Sequence, residues 1–336
     1  MSITTFGDMA QFQSLRKQGS DLRSDIARLT AELASGKVTD TGRNLNGDFS
    51  ALTDVTRGLR LNEAFKTSIS NAEITTDGRQ TALDRVASEL VGFGASLLSL
   101  AGTSKTESRE LDLLNTPERF GAAVAALNTQ FAGQSLFAAD APENIPLIPA
   151  EDILAELRNV TAGLTDAASL ETAVLAWFND PGGAYQTFAW QGGDGEPPET
   201  LLSEGQTAAT GVSALDPAIR ETLAGLAMAT LAADKYLSLS SEERADLLSR
   251  SGQQVLSGET DLVDLRARLG AEQARIEEAR VAAETTRSAL ELEYGRLVEA
   301  DPYRTATELE AASLQLESLY ILTARMSRLS LTEFLR

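Results

Sequence analysis

The stretch DLVDLRARLGAEQARIEEARVAAETTRSALELEYGRLVE, Asp261 to Glu299, decides the fold. Leu269, Ile276, Ala283, Leu290 and Leu297 keep one seven-residue spacing, and Leu265, Glu272, Ala279, Thr286 and Glu293 form a second, more polar row. Neither Pro nor a turn dipeptide interrupts the run, so the spacing predicts one helix with a narrow seam. At about 1.5 Å per residue it would reach nearly 60 Å, more than a compact globule needs, which argues for a rod.

Working outward, the same rhythm recurs at both ends of the chain. Leu15, Leu22 and Leu29 are seven apart, interleaved with Ile26 and Leu33, and Gly36 is placed to stop that helix. After Pro302, which breaks or kinks the chain, Leu309, Leu316 and Thr323 alternate with Ala312, Leu319 and Met326. The chain then keeps apolar residues on a helical beat through Leu329, Leu331, Phe334 and Leu335. A helix in water persists when its stripe packs on something. The simplest arrangement folds the first helix onto the last, which still leaves apolar surface at Leu319, Tyr320, Ile321 and Leu322. With each buried aliphatic side chain worth roughly 1.5–3 kcal/mol, such an end has a strong drive to associate. The periodicity by itself is equally compatible with the core of a monomeric bundle.

Proline divides the rest. Seven of nine prolines, both tryptophans and the Gly-rich QGGDGEPPE fall between Pro142 and Pro217. Because Pro breaks helix interiors, the flanks can be long helices while the middle cannot. The expected architecture is therefore mainly α: an elongated helical rod or coiled-coil bundle from the N- and C-terminal segments, with a small α+β insert. The expected divisions are 1–44 for the first helix, 45–141 for one half of the rod, 142–216 for the insert, 217–301 for the other half and 302–336 for the last helix. Within the insert, residues 151–177 read as one or two short helices. AYQTFAW (Ala184 to Trp190) and parts of the run after Glu199 favour strands, with GGDG as a turn.

Composition removes most chemistry. There are 49 acidic against 29 basic residues, a net charge of −20, and neither His nor Cys among 336 residues. That charge repels phosphate backbones and anionic headgroups, so neither nucleic acid nor a membrane is an expected partner. Without His and Cys, the usual base near neutral pH, the thiolate nucleophile and the commonest metal ligands are missing. No cofactor is expected. The N-terminus lacks a basic start followed by an apolar core, and the longest uncharged run, Phe120 to Ala139, is too polar to span a bilayer. A cytoplasmic protein and a substrate of a dedicated secretion machine both stay open.

Other features carry bland readings. Glu242–Glu243 and Glu277–Glu278 are adjacent on helices and point apart, so they read as solvated faces. Asn159-Val160-Thr161 matches a glycosylation sequon on an expected helix. QGGDGEPPE lacks the features of a phosphate or Ca²⁺ loop. Tyr303 reads as a packing residue. An enzyme reading would place a carboxylate or Tyr site in the insert around Trp177, Tyr185, Trp190 and Asp194.

Four stretches together resemble a known family. IARLTAELASGKV (Ile26 to Val38), LNTQFAGQSLFAADA (Leu127 to Ala141), LRARLGAEQARIEEAR (Leu265 to Arg280) and EADPYRTATELE (Glu299 to Glu310) are similar to segments of the flagellin-type proteins of the bacterial flagellum. The likeness covers about residues 1–141 and 215–336. The ending SRLSLTEFLR is closer to that of the hook–filament junction members than to that of flagellin itself, which remains the alternative. Two departures are visible: DTGRNLNGD replaces the usual acidic pair and Pro, and Ala139 stands where the family has Gly. The resemblance implies a non-enzymatic structural subunit, exported without a cleaved signal by the flagellar type III apparatus and located outside the cell at the junction. It implies self-association into a short ring, with hook-associated protein 1 and flagellin as neighbours and an export chaperone before secretion. The residues expected to carry assembly are Leu15, Leu22, Ile26, Leu29, Leu33, Leu309, Leu316, Leu319, Met326, Leu329, Leu331 and Phe334.

Overall fold

A computed structural model describes residues 4–102, 115–234 and 237–334, with side chains from residue 13 to 325 within those ranges and at residue 10. The helices are α1 (Thr4–Ser35), α2 (Thr41–Asn44), α3 (Ser50–Leu90), α4 (Phe93–Ala101), α5 (Thr116–Leu127), α6 (Ala150–Val160), α7 (Ala167–Asn179), α8 (Pro217–Ala233), α9 (Ser241–Val298) and α10 (Pro302–Phe334). A short helical turn at Tyr185–Ala189 and two antiparallel hairpins complete the described elements: β1 (Gln130–Phe131) with β2 (Gln134–Ser135), and β3 (Thr200–Ser203) with β4 (Gln206–Ala208). The fold is mainly α, as the periodicity implied. The long helix starts at Ser241, well before Asp261, because Ser240 caps it: its hydroxyl accepts from the Glu243 N–H at 3.1 Å.

The chain forms two compact units, residues 62–284 and residues 1–61 with 285–336. In the 62–284 unit one core runs through α3, α4, α5, α6, α7, α8 and α9. Helix α8 is its centre, with thirteen of seventeen residues buried, so it is apolar all round rather than striped. Gly225 and Gly258 let α8 and α9 approach closely: a Cβ at Gly225 would lie 3.0 Å from the Val255 nitrogen, and one at Gly258 2.9 Å from the Thr222 Cα. Leu262, Leu265, Leu269, Ile276, Ala279 and Ala283 are buried, so the seam read in the sequence faces inward through this unit. A smaller cluster of Ile69, Ala72, Leu202, Ala208, Ile276, Ala279 and Ala283 seats the β3–β4 hairpin on α3 and α9.

Three expectations need correction. Residues 142–216 are no separate insert, since Leu147, Ile153, Leu157, Leu170, Val174 and Phe178 lie in the same core as α5 and α8. The divisions expected at 44, 141, 216 and 301 therefore differ from the compact units, and proline density marked loops inside one body. Second, Tyr185–Ala189 forms a short helical turn rather than a strand, because Gly183 and Asp180 begin it and the Tyr185 ring is drawn wholly into the core. Third, Tyr303 is 83% exposed rather than packed, since Asp301 caps α10 and directs the first turn to solvent. The two short helices and the strands after Glu199 stand as read.

Two positions explain where residues 142–216 attach. Arg79, half-buried on α3, donates from Nε to the Leu136 carbonyl at 2.8 Å and from Nη1 to the Thr210 carbonyl at 3.1 Å. It thus ties down the chain just before and at the end of this segment, and burial lowers its pKa to about 10. Ala139 has φ +57°, a left-handed conformation that costs a non-glycine residue roughly 1–2 kcal/mol. Ala139→Gly is expected to stabilise the protein by about 0.5–1 kcal/mol after the entropic cost of Gly, read as a higher midpoint in urea melts. An unchanged or lower midpoint would show that the turn carries no such strain.

Candidate functional site

The unit made from the two ends of the chain is built on two connectors that pair with each other. Gly36, at φ +70°, ends α1 and donates to the Glu32 carbonyl at 2.8 Å. The Val38 N–H then bonds the Val298 carbonyl at 2.9 Å, and the Ala300 N–H bonds the Gly36 carbonyl at 3.0 Å, around a Lys37–Glu299 bridge. Asn44 adds a bond from Nδ2 to the Leu297 carbonyl at 3.1 Å. Pro302 opens α10, with the Asp301 carboxylate accepting from the Tyr303 and Arg304 N–H groups. Joined at this point, α1 and α10 run back along each other as an antiparallel pair.

Gly19 and Arg23 set the register of that pair, and Glu32 anchors the end of α1. Gly19 is buried under Leu319, whose Cδ2 would lie 3.2 Å from an added Cβ. Arg23 donates from Nη2 and Nε to the Tyr320 hydroxyl at 2.6 and 3.1 Å. Glu32 is buried and charged, and it is satisfied by the Arg28 guanidinium at 3.1 and 3.2 Å and the Thr39 N–H at 3.1 Å. The heptad spacing puts Arg23 and Glu32 among charges outside the seam and gives Gly19 no role, yet Glu32 is buried. The signals available were the Arg28–Glu32 spacing of four and a lone Gly inside a helical pattern.

The expected assembly residues divide into distinct groups. Leu29 is buried, with Ala312 and Thr305 on α10. Leu15, Leu22, Ile26, Leu309, Leu316 and Leu319 are half-buried, while Leu33 is 42% exposed. Met326, Leu329, Leu331 and Phe334 fall outside the described side chains. Leu314, Ile321 and Leu322 are 58%, 50% and 53% exposed. On a helix turning 100° per residue, Leu314 and Ile321 lie about 200° round from Ala312 and Leu319. Helix α10 is therefore apolar on two opposite faces, and α1 covers one. Leu314 and Leu322, with Leu15 and Leu22 of α1, line an open groove along the pair.

The residues named by the enzyme reading are not brought together at one exposed site. Trp177, Tyr185 and Trp190 are core residues, and the first two pack edge to face with ring centres 6.0 Å apart. The Tyr185 hydroxyl donates to the Ala214 carbonyl at 2.8 Å, burial pushes its pKa far up, and Asp194 is exposed. Glu243 accepts from the Ala167 N–H at 2.7 Å at the start of α7, and Glu277 pairs with Arg280, whose hydrogen bond holds its carboxyl below the usual range. Thr161 of the sequon is fully buried against the Leu157 carbonyl. Among the described residues no His, Cys, Asp or Glu group is arranged for a metal, and no helix is long and apolar enough to cross a membrane.

Charge separates the two units further. Residues 62–284 hold 34 acidic and 15 basic residues, net −19, whereas the unit of both chain ends holds 15 and 14, net −1. The α1–α10 pair, with its uncovered Leu314, Ile321 and Leu322, lies in the unit with almost no net charge.

This combination defines a class: a mainly α protein whose two ends pair into an incompletely covered helical hairpin. Comparison with known proteins adds two findings. Residues 253–335 match the family model of the bacterial flagellin C-terminal helical region. The fold is shared with a structure of a putative flagellar hook-associated protein from Vibrio parahaemolyticus, at a TM-score of 0.52 and 14% identity over 75% of this chain and 99% of that one. Among curated proteins no sequence matches.

Proposed function

We propose that the chain is a structural subunit of the bacterial flagellum that polymerises through α1 and α10. Its carrying observation is that α10 has apolar residues on opposite faces while the chain supplies a cover for only one. Leu314, Ile321 and Leu322 then meet neighbouring copies, and the half-buried row of Leu15, Leu22, Ile26, Leu309, Leu316 and Leu319 holds each hairpin together. The further assembly positions Met326, Leu329, Leu331 and Phe334 are proposed from their sequence spacing alone. The match of residues 253–335 to the flagellin C-terminal region and the hook-associated fold support this reading.

Within the flagellum we assign it to the hook–filament junction, as hook-associated protein 3, from the ending SRLSLTEFLR. In that place it would form a ring between hook-associated protein 1 and flagellin, outside the cell, after type III export with a chaperone on its C-terminal region. A second reading, flagellin itself, is favoured by the family model that residues 253–335 match. Electron microscopy of a null mutant separates them. Bare hooks with flagellin shed into the medium are expected for the junction protein. Bare hooks with nothing shed point to the filament subunit, and normal filaments would overturn both.

A further inference from the structure

The segment 142–216 carries twelve acidic residues and one basic residue, Arg158, a net charge of −11 in 75 residues. Arg158 is already spent, since its Nε lies 2.5 Å from Asp234. Some of the acids have local work: Asp166 and Asp216 cap α7 and α8, and Glu171 pairs with Arg250 on α9. Eight of the twelve are exposed, and none of those eight holds an ion pair among the described residues. Glu143, Asp180, Asp194, Glu196 and Glu204 belong to those eight, and no side-chain bond or helix first turn engages them.

From this partition we propose that self-association of the chain is gated by counter-ions through the acidic segment 142–216. The proposal rests on the assembly reading above. Copies that join through their nearly neutral terminal unit each carry a −19 body into the assembly. Apolar attraction at the helix pair is short-ranged and insensitive to modest salt. Repulsion between the bodies reaches about 30 Å at about 0.01 M ionic strength and only about 8 Å at about 0.15 M. The attractive and repulsive surfaces are thus separate in sequence, and salt acts on one of them.

The test is light scattering of the full chain at neutral pH in NaCl from about 0.01 to about 0.15 M, beside a variant with Glu143→Gln, Asp180→Asn, Asp194→Asn, Glu196→Gln and Glu204→Gln. These changes spare every side-chain cap, since Asp180 caps α7 through its backbone N–H alone, and reduce the segment from −11 to −6. The concentration needed for association should fall about tenfold or more across that range for the native chain. The variant should associate readily at low salt and respond by less than about threefold. Equal salt responses in the two chains, or none in the native chain, would overturn the gating. Failure of the native chain to associate at any salt would instead remove the assembly reading, and the gating with it. Matching circular dichroism and melting of the two chains confirms that only charge has changed.

Discussion

Replacing Leu314 and Ile321 together by Asp is expected to leave the chain folded and helical while abolishing its self-association. Both side chains are at least half exposed in the lone chain, so each substitution sits at a helix surface where stability changes stay within about 0.5 kcal/mol. In the assembled state the same positions lose the remaining half of two aliphatic burials, roughly 0.8–1.5 kcal/mol each, and gain two charges that must be desolvated at roughly 1–3 kcal/mol or more each. The sum is about 4 kcal/mol or more, about a thousandfold in an association constant. Sedimentation would read the association, circular dichroism the fold, and electron microscopy the incorporation into flagella. Unimpaired assembly would show that the outward face of α10 is not the contact. Leu319→Asp, the substitution suggested by the heptad alone, discriminates less well. Leu319 is half-buried over Gly19, so its loss would loosen the α1–α10 pair as well as any contact between copies.

What the sequence made legible follows from the range of the interaction involved. Seven-residue spacing reports which side of a helix is buried, and Leu265, Leu269, Ile276, Ala279 and Ala283 were all found buried on that ground. The same row ceases to predict burial at Thr286 and Glu293, which are exposed. Single-residue signals did well where backbone geometry is local: Gly36 stops α1 in a left-handed conformation, and Pro302 opens α10. They failed where tertiary contact decides. Tyr185, Phe188 and Trp190 have strand propensity, yet the Tyr185 ring packs against Trp177 and Phe178 and the backbone follows it into a helical turn. In the α1–α10 pair the apolar heptad was visible, but Arg23–Tyr320 joins residues 297 positions apart and has no local trace. The outward row was half seen. Tyr320, Ile321 and Leu322 read as surplus apolar surface, whereas Leu314, on the same face as Ile321, required knowing which side α1 covers.

The proline-rich middle bears on a second large effect. Reading residues 142–216 as a detachable insert implies that excising about 150–210 would leave the helical body intact. The structure implies the reverse, and the excised chain is expected to lose cooperative folding of residues 62–284. Helix α8 has thirteen buried residues because α5, α7 and α9 surround it, and the excision removes α7 entirely. It takes away Leu170, Val174, Trp177 and Phe178 together with the Tyr185 ring, whose centre lies 5.4 Å from that of Phe178. Truncating any one such core residue costs about 2–5 kcal/mol, so removing five exceeds the roughly 5–15 kcal/mol by which a whole domain is stable. The bonds from Arg79 to the Leu136 and Thr210 carbonyls would also lose one partner. Thermal melts followed by circular dichroism should show a broad, weak transition in place of a cooperative one, with aggregation on the newly exposed face of α8. A soluble excised chain with a sharp melt would mean that α8 needs no cover from α7, and would restore the insert as an independent module.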